Sequence, residues 1–245
     1  MIVFLNSHAM QTIKNKISIQ VSDGTLMNAF ITAPDDSNVH PGIILLQEAF
    51  GITSHIRAVA ERIACEGYVV IAPELFHRTA PGIEFDQNNL PAVMEHVMAM
   101  KPDQLQSDLR ACYAWLQQQD KVNKNKIGSI GFCMGGRASF VANYTLSLSA
   151  CISYYGSGIQ NMADKVKDLH APHLFFWGGL DTHILPENVS AVVDAMKQGN
   201  KPYANVVFSY AGHAFNNDQR PNNYNSDASK EAWAISIAFL KNKLH

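Results

Sequence analysis

The chain has 245 residues, 47% of them hydrophobic and 16% charged, with a formal net charge of -2. That balance suits a packed globular core and gives no footing for nucleic acid, because no Lys/Arg-rich run is present. Its four cysteines, Cys65, Cys112, Cys133 and Cys151, show no CxxC spacing, which disfavours a zinc ribbon or a disulfide framework.

The chain opens on MIVFLNSHAM, an apolar start without a basic region and too short for a signal peptide. No uncharged apolar run reaches the length of a membrane span. Free thiols fit a reducing compartment, so a cytoplasmic protein is expected.

Lys16 to Val21 alternates polar and apolar, Ser22-Asp23-Gly24 makes a turn, and Leu26 to Thr32 follows, which predicts an antiparallel hairpin. Gly42 to Leu46 is apolar throughout and suits a strand buried on both faces. His55 to Cys65 has helical spacing and stops at Gly67. Tyr68 to Ala72 reads as a buried strand closed by Pro73. Leu75 to Pro102 begins as a loop, with a short helix predicted over Pro91 to Met100. A segment of this length is the candidate cap or lid.

Gln104 to Gln119 is amphipathic, with Leu105, Leu109, Cys112 and Leu116 on one stripe. Ile127 to Phe132 is predicted as a strand and Met134 to Tyr144 as a helix. Strands over Ala150 to Tyr155, His173 to Trp177 and Ala204 to Ser209 then alternate with helices over Glu187 to Lys197 and Asp227 to Lys243. Such alternation implies an α/β fold whose mainly parallel central sheet carries helices on both faces. No repeat or linker divides the chain, so one domain over residues 1–245 is expected.

The stretch I-G-S-I-G-F-C-M-G-G, Ile127 to Gly136, has the form of a nucleophile elbow, a sharp strand-to-helix turn that lifts one reactive side chain above the sheet. Cys133 occupies the reactive position. Gly131 and Gly135 flank it where side chains would crowd the turn, and Gly136 lets the helix pack near the sheet. Cysteine attacks a carbonyl only as thiolate, so it needs a histidine, itself oriented by a carboxylate.

The chain order nucleophile, acid, histidine is met by Cys133, then Asp181 in W-G-G-L-D, then His213 in Y-A-G-H-A-F. Both follow predicted strands, and ligand crevices of open parallel sheets lie at strand C-terminal ends. His183 is the rival histidine, but it lies only two residues beyond Asp181. The backbone N–H of Met134 can face a developing oxyanion, and Ala49 is the best candidate for a second donor. Cys65, Cys112 and Cys151 read as packing residues.

Several motifs then occur in order: Q-E-A-F-G (Gln47 to Gly51), P-E-L-F with Arg78 and A-P-G (Pro73 to Gly82), G-F-C-M-G-G, G-L-D and G-H-A-F. Together they resemble the dienelactone hydrolase family, of which carboxymethylenebutenolidase is the type. The resemblance runs from about Gly42 to the last helix.

It implies an α/β-hydrolase fold and a Cys-His-Asp triad without metal or organic cofactor. The implied reaction is hydrolysis of a small-molecule ester or enol-lactone, carboxylate-bearing ones included. It further implies that Glu48 contacts the resting thiol and moves when substrate binds, and that Arg78 binds a substrate carboxylate.

One position departs. Dienelactone-cleaving members carry an arginine four residues after the histidine. Here Asn217 stands there, with Arg220 three residues on. A weaker or differently shaped anion site is expected. Other readings stay open: Glu48 as the cap of the helix near Ser54, Arg78 as a solvated loop cation, an acyltransferase or thioesterase on the same triad, or a silent small-molecule-binding protein. The expected assembly is a monomer or a small homo-oligomer.

Overall fold

The computed structural model describes residues 10–87 and 89–245, so nearly all of the N-terminal segment read against a signal peptide lies outside the described residues. Eight strands form one sheet: β1 (Thr12–Gln20), β2 (Leu26–Pro34), β3 (His40–Leu46), β4 (Val69–Pro73), β5 (Val122–Phe132), β6 (Ala150–Tyr154), β7 (His173–Gly178) and β8 (Tyr203–Phe208). Their spatial order is β1-β2-β4-β3-β5-β6-β7-β8. The hairpin β1–β2 is antiparallel, and β2 also meets β4 antiparallel. Every other neighbouring pair is parallel. The mainly parallel sheet is the one the alternating pattern predicted, and the α/β-hydrolase fold is the one the resemblance implied.

Among the described residues six α-helices surround the sheet: α1 (Ser54–Cys65), α2 (Leu90–Ala99), α3 (Pro102–Gln118), α4 (Met134–Thr145), α5 (Pro186–Gln198) and α6 (Ser226–Leu244). The apolar run of β3 shows why two helical layers are needed. Successive strand side chains point to opposite faces. Ile43 and Leu45 join the layer packed by Ile56, Ala60 and Ile63 of α1 and Ala232 and Leu240 of α6. Ile44 and Leu46 join the layer packed by Leu105, Leu109, Cys112 and Leu116 of α3 and Ala138 and Val141 of α4. The stripe read on α3 is the buried face of that helix.

The structure adds details that periodicity did not show. Strand β5 starts at Val122 rather than Ile127, and its register against β3 shifts between Pro41 and Gly42. Its first residues are mostly polar and exposed, so they carry no buried-strand signal. A 3-10 segment over Ile159–Asp168, kinked at Met162, covers ground where no element was expected. Only Ile159 and Val166 of that segment are buried, too few for a periodic stripe.

The parallel strands β3, β5 and β7 end at Leu46, Phe132 and Gly178. The segments that follow therefore open at one edge of the sheet. The long connection from Leu75 lies across the first of them. Phe85 N–H donates to the Phe50 carbonyl at 2.9 Å, and Arg57 of α1 pairs with Glu84. Gly51, at φ +92°, has only 2.6 Å between a would-be Cβ and the Ile83 carbonyl oxygen. Any side chain there would push the two segments apart.

Candidate active site

Strand β5 runs straight into the elbow. Cys133 has φ 55° and ψ -116°, a left-handed region that non-glycine residues enter at a cost of order 1–3 kcal/mol. The neighbours hold it there. Cys133 N–H donates to the Tyr154 carbonyl at 3.0 Å, and its own carbonyl accepts from Arg137 N–H at 3.2 Å.

The flanking glycines leave no room for alternatives. A Cβ on Gly131 would lie 1.8 Å from the Gly135 carbonyl oxygen, and one on Gly135 would lie 2.2 Å from that of Leu46. A Cβ on Gly136 would lie 2.7 Å from the Tyr154 carbonyl oxygen. The first turn of α4 thus presses against strand ends that only glycine permits.

The other two residues arrive from the segments after β7 and β8. His213 Nε2 lies 3.2 Å from Cys133 Sγ. On its far side, His213 Nδ1 donates to Asp181 Oδ2 at 2.7 Å. Asp181 Oδ1 accepts two backbone N–H bonds, from His183 at 2.7 Å and Ile184 at 3.1 Å. The rival His183 is thereby accounted for: its main chain holds the acid, and its ring stands edge-on to His213 with centroids 5.2 Å apart.

Burial would raise the Asp181 pKa. The hydrogen bond and charge of His213 and the two backbone donors outweigh it and hold the carboxyl below its ordinary range. For His213 burial works downward, but the bonds to Asp181 and to the Cys133 sulfur win and lift the imidazole above its ordinary 6.5.

Met134 and Ala49, the candidate oxyanion donors, are buried at 3% and 6% exposure. Met134 opens α4, where the first N–H groups lack helical acceptors.

Glu48 is 2% exposed, but among the described residues no hydrogen bond joins it to Cys133. The thiol here meets His213. Nor does Glu48 cap α1, because Thr53 does. Its Oε1 accepts from the Tyr155 hydroxyl at 3.4 Å and its Oε2 from Asn217 Nδ2 at 2.6 Å. Burial, then the charges of Glu48 and Cys133, push the Tyr155 phenol well up. That ring lies 5.1 Å from the His213 ring.

Arg78 is placed elsewhere. Its guanidinium grips Asp108 with two bonds of 2.8 and 2.7 Å and also binds Asp23 of the hairpin turn. Asp108 is fully buried, and burial raises its pKa despite the guanidinium. Its donors serve two carboxylates here, and the fully buried Asp108 also has the His77 ring nitrogen 3.8 Å away.

Sequence reasoning missed Tyr155, Gln87 and the bonding role of Asn217. Tyr155 follows a strand like the other site residues, and its φ of 38° is unusual, but the sequence carried no sign of that backbone. Among the described residues no group of three or more His, Cys, Asp or Glu is arranged to hold a metal ion. No described helix is long and apolar enough to cross a membrane.

The family model described as "Dienelactone hydrolase family" matches residues 27–244. The chain belongs to the dienelactone hydrolase family. A "Putative carboxymethylenebutenolidase" of Salmonella typhimurium is 34% identical over 223 residues, covering 86% of this chain and 81% of that one. The "Carboxymethylenebutenolidase" of Pseudomonas putida is 28% identical over 203 residues, covering 81% and 84%. A crystal structure titled "Putative Dienelactone Hydrolase", from Klebsiella pneumoniae, superposes with a TM-score of 0.86 at 29% identity, covering 94% of this chain and 99% of that one.

The geometry of these residues sets the following expectations. By NMR, His213 should titrate above 6.5, and Asp181→Asn should lower that midpoint by roughly a unit or more. A raised folded-state pKa stabilises the fold fully below the unfolded value and loses that stabilisation as pH rises through the folded one. The melting-temperature gap between wild type and Asp181→Asn should therefore shrink as pH rises through the His213 midpoint. Arg78→Ala should lower stability by about 2–4 kcal/mol, read by urea unfolding, because it strands buried Asp108. Its KM for a neutral ester should stay within about twofold of wild type.

Proposed function

We propose that this hydrolase cleaves a carboxylic ester or enol-lactone through a covalent thioester on Cys133. What supports this most is one hydrogen-bonded line: Sγ to Nε2 at 3.2 Å and Nδ1 to Oδ2 at 2.7 Å.

His213 takes the thiol proton, and the thiolate attacks the carbonyl carbon of the substrate. Asp181 steadies the imidazolium so formed, consistent with the raised pKa of His213. Negative charge moves to the carbonyl oxygen, where the N–H groups of Met134 and Ala49 receive it. The tetrahedral adduct collapses, the C–O bond to the alcohol or enol breaks, and His213 returns its proton to that oxygen. A water then enters. His213 takes one of its protons, the hydroxide attacks the thioester, and the acid leaves as the thiol is restored.

Glu48 has a supporting place in this reading. It sits one residue before Ala49, fixed by Tyr155 and Asn217, and lends negative potential beside the imidazolium. The segment from Leu75 to Pro102 serves as the cap, since Gln87 within it accepts from Asn217 at 2.8 Å. The protein works as one domain that needs no cofactor.

The test uses a generic aryl ester. Turnover should fall by at least roughly a thousandfold in Cys133→Ala while the fold persists. Stoichiometric alkylation of Cys133 in the wild type should abolish turnover to the same degree. Full activity after either change would end this reading.

A further inference from the structure

The charges around Glu48 bear on which substrates fit. Glu48 lies next to Ala49 in the chain and is almost fully buried. Both of its oxygens accept hydrogen bonds, from Tyr155 and from Asn217, the pattern of a carboxylate acting only as acceptor.

Asn217 is itself fully buried and has nothing left to offer. Its Nδ2 donates to Glu48 Oε2 at 2.6 Å and to Gln87 Oε1 at 2.8 Å, and its Oδ1 accepts from Gln219 N–H at 3.1 Å. Both of its donor hydrogens are therefore committed.

Among the described residues no cation forms an ion pair with Glu48. Arg78 is held by Asp108 and Asp23. Arg220 lays its guanidinium over the Phe50 ring, 5.3 Å from the centroid. Among the described residues neither arginine bonds Glu48. The charge on His213 is matched by Asp181 at 2.7 Å.

A substrate carboxylate entering beside Glu48 would shed its water and meet a like charge whose own partners, Tyr155 and Asn217, have no donor left. Both effects are unfavourable, and the second grows as water is excluded.

We propose that the acyl group accepted here is uncharged where it meets Glu48, a neutral ester or lactone, and that Asn217 sets this preference by committing its amide to Glu48 and Gln87. The inference rests on the hydrolase reading and deepens it. Asn217 is a specificity residue: it takes no part in bond making or breaking.

The experiment compares two para-nitrophenyl esters whose acyl chains end in a carboxylate or in the matching primary amide. In the wild type the amide-ended ester should have a kcat/KM at least roughly tenfold higher. Asn217→Arg should shift that ratio toward the acid by roughly tenfold or more, through KM more than kcat. Circular dichroism reports whether this variant folds, and if it does not, the wild-type ratio decides alone.

Equal or faster cleavage of the acid-ended ester by the wild type would overturn the inference and leave the hydrolase reading standing. Loss of that preference in Arg220→Ala would then assign the anion site to Arg220. If neither ester is cleaved and Cys133 is never acylated, the hydrolase reading itself falls.

Discussion

The close approach of the first turn of α4 to the ends of β3 and β5 is the constraint on which the rest of the site depends. The Leu46 carbonyl oxygen would lie 2.2 Å from any Cβ at Gly135, and the Gly135 carbonyl oxygen 1.8 Å from any Cβ at Gly131. Only glycine satisfies both. Because the helix can come that near, Cys133 is forced to positive φ and its sulfur stands at the sheet edge. From there it meets His213.

The polar groups around the sulfur fall into two separate sets. One is the line Cys133–His213–Asp181, in which burial and hydrogen bonding oppose each other at both titrating partners and hydrogen bonding wins. The other is Tyr155–Glu48–Asn217–Gln87, which carries a carboxylate and no cation. Tyr155 touches both, through its ring beside His213 and its hydroxyl on Glu48. The Arg78–Asp108–Asp23 cluster lies apart from these sets and clasps the Leu75 segment to α3 and to the hairpin turn.

Much of this was legible in the sequence, for a physical reason. Buried parallel strands must be apolar, so β3, β4 and β7 stand out. Residues just past such strands gather at one edge, so Cys133, Asp181 and His213 could be placed together although 80 and 32 residues separate His213 from the other two. The pairing of long polar side chains had no such signal. Arg78 finds Asp108 30 residues away, and Asn217 finds Glu48 169 residues away. Nothing in local spacing announces either bond. The motif around Arg78 pointed to a substrate, while the fully buried Asp108 in the middle of an amphipathic helix was the overlooked sign that a cation was already needed nearby.

The central claim is that the carbon–sulfur bond of an acyl-enzyme forms at Cys133. Rapid acid quench of the protein with excess aryl ester, followed by mass measurement of its peptides, tests this directly. The account predicts one acyl group of the substrate's mass on the peptide holding Cys133 and none on those holding Cys65, Cys112 or Cys151. An unmodified Cys133 peptide throughout continuing turnover would contradict it.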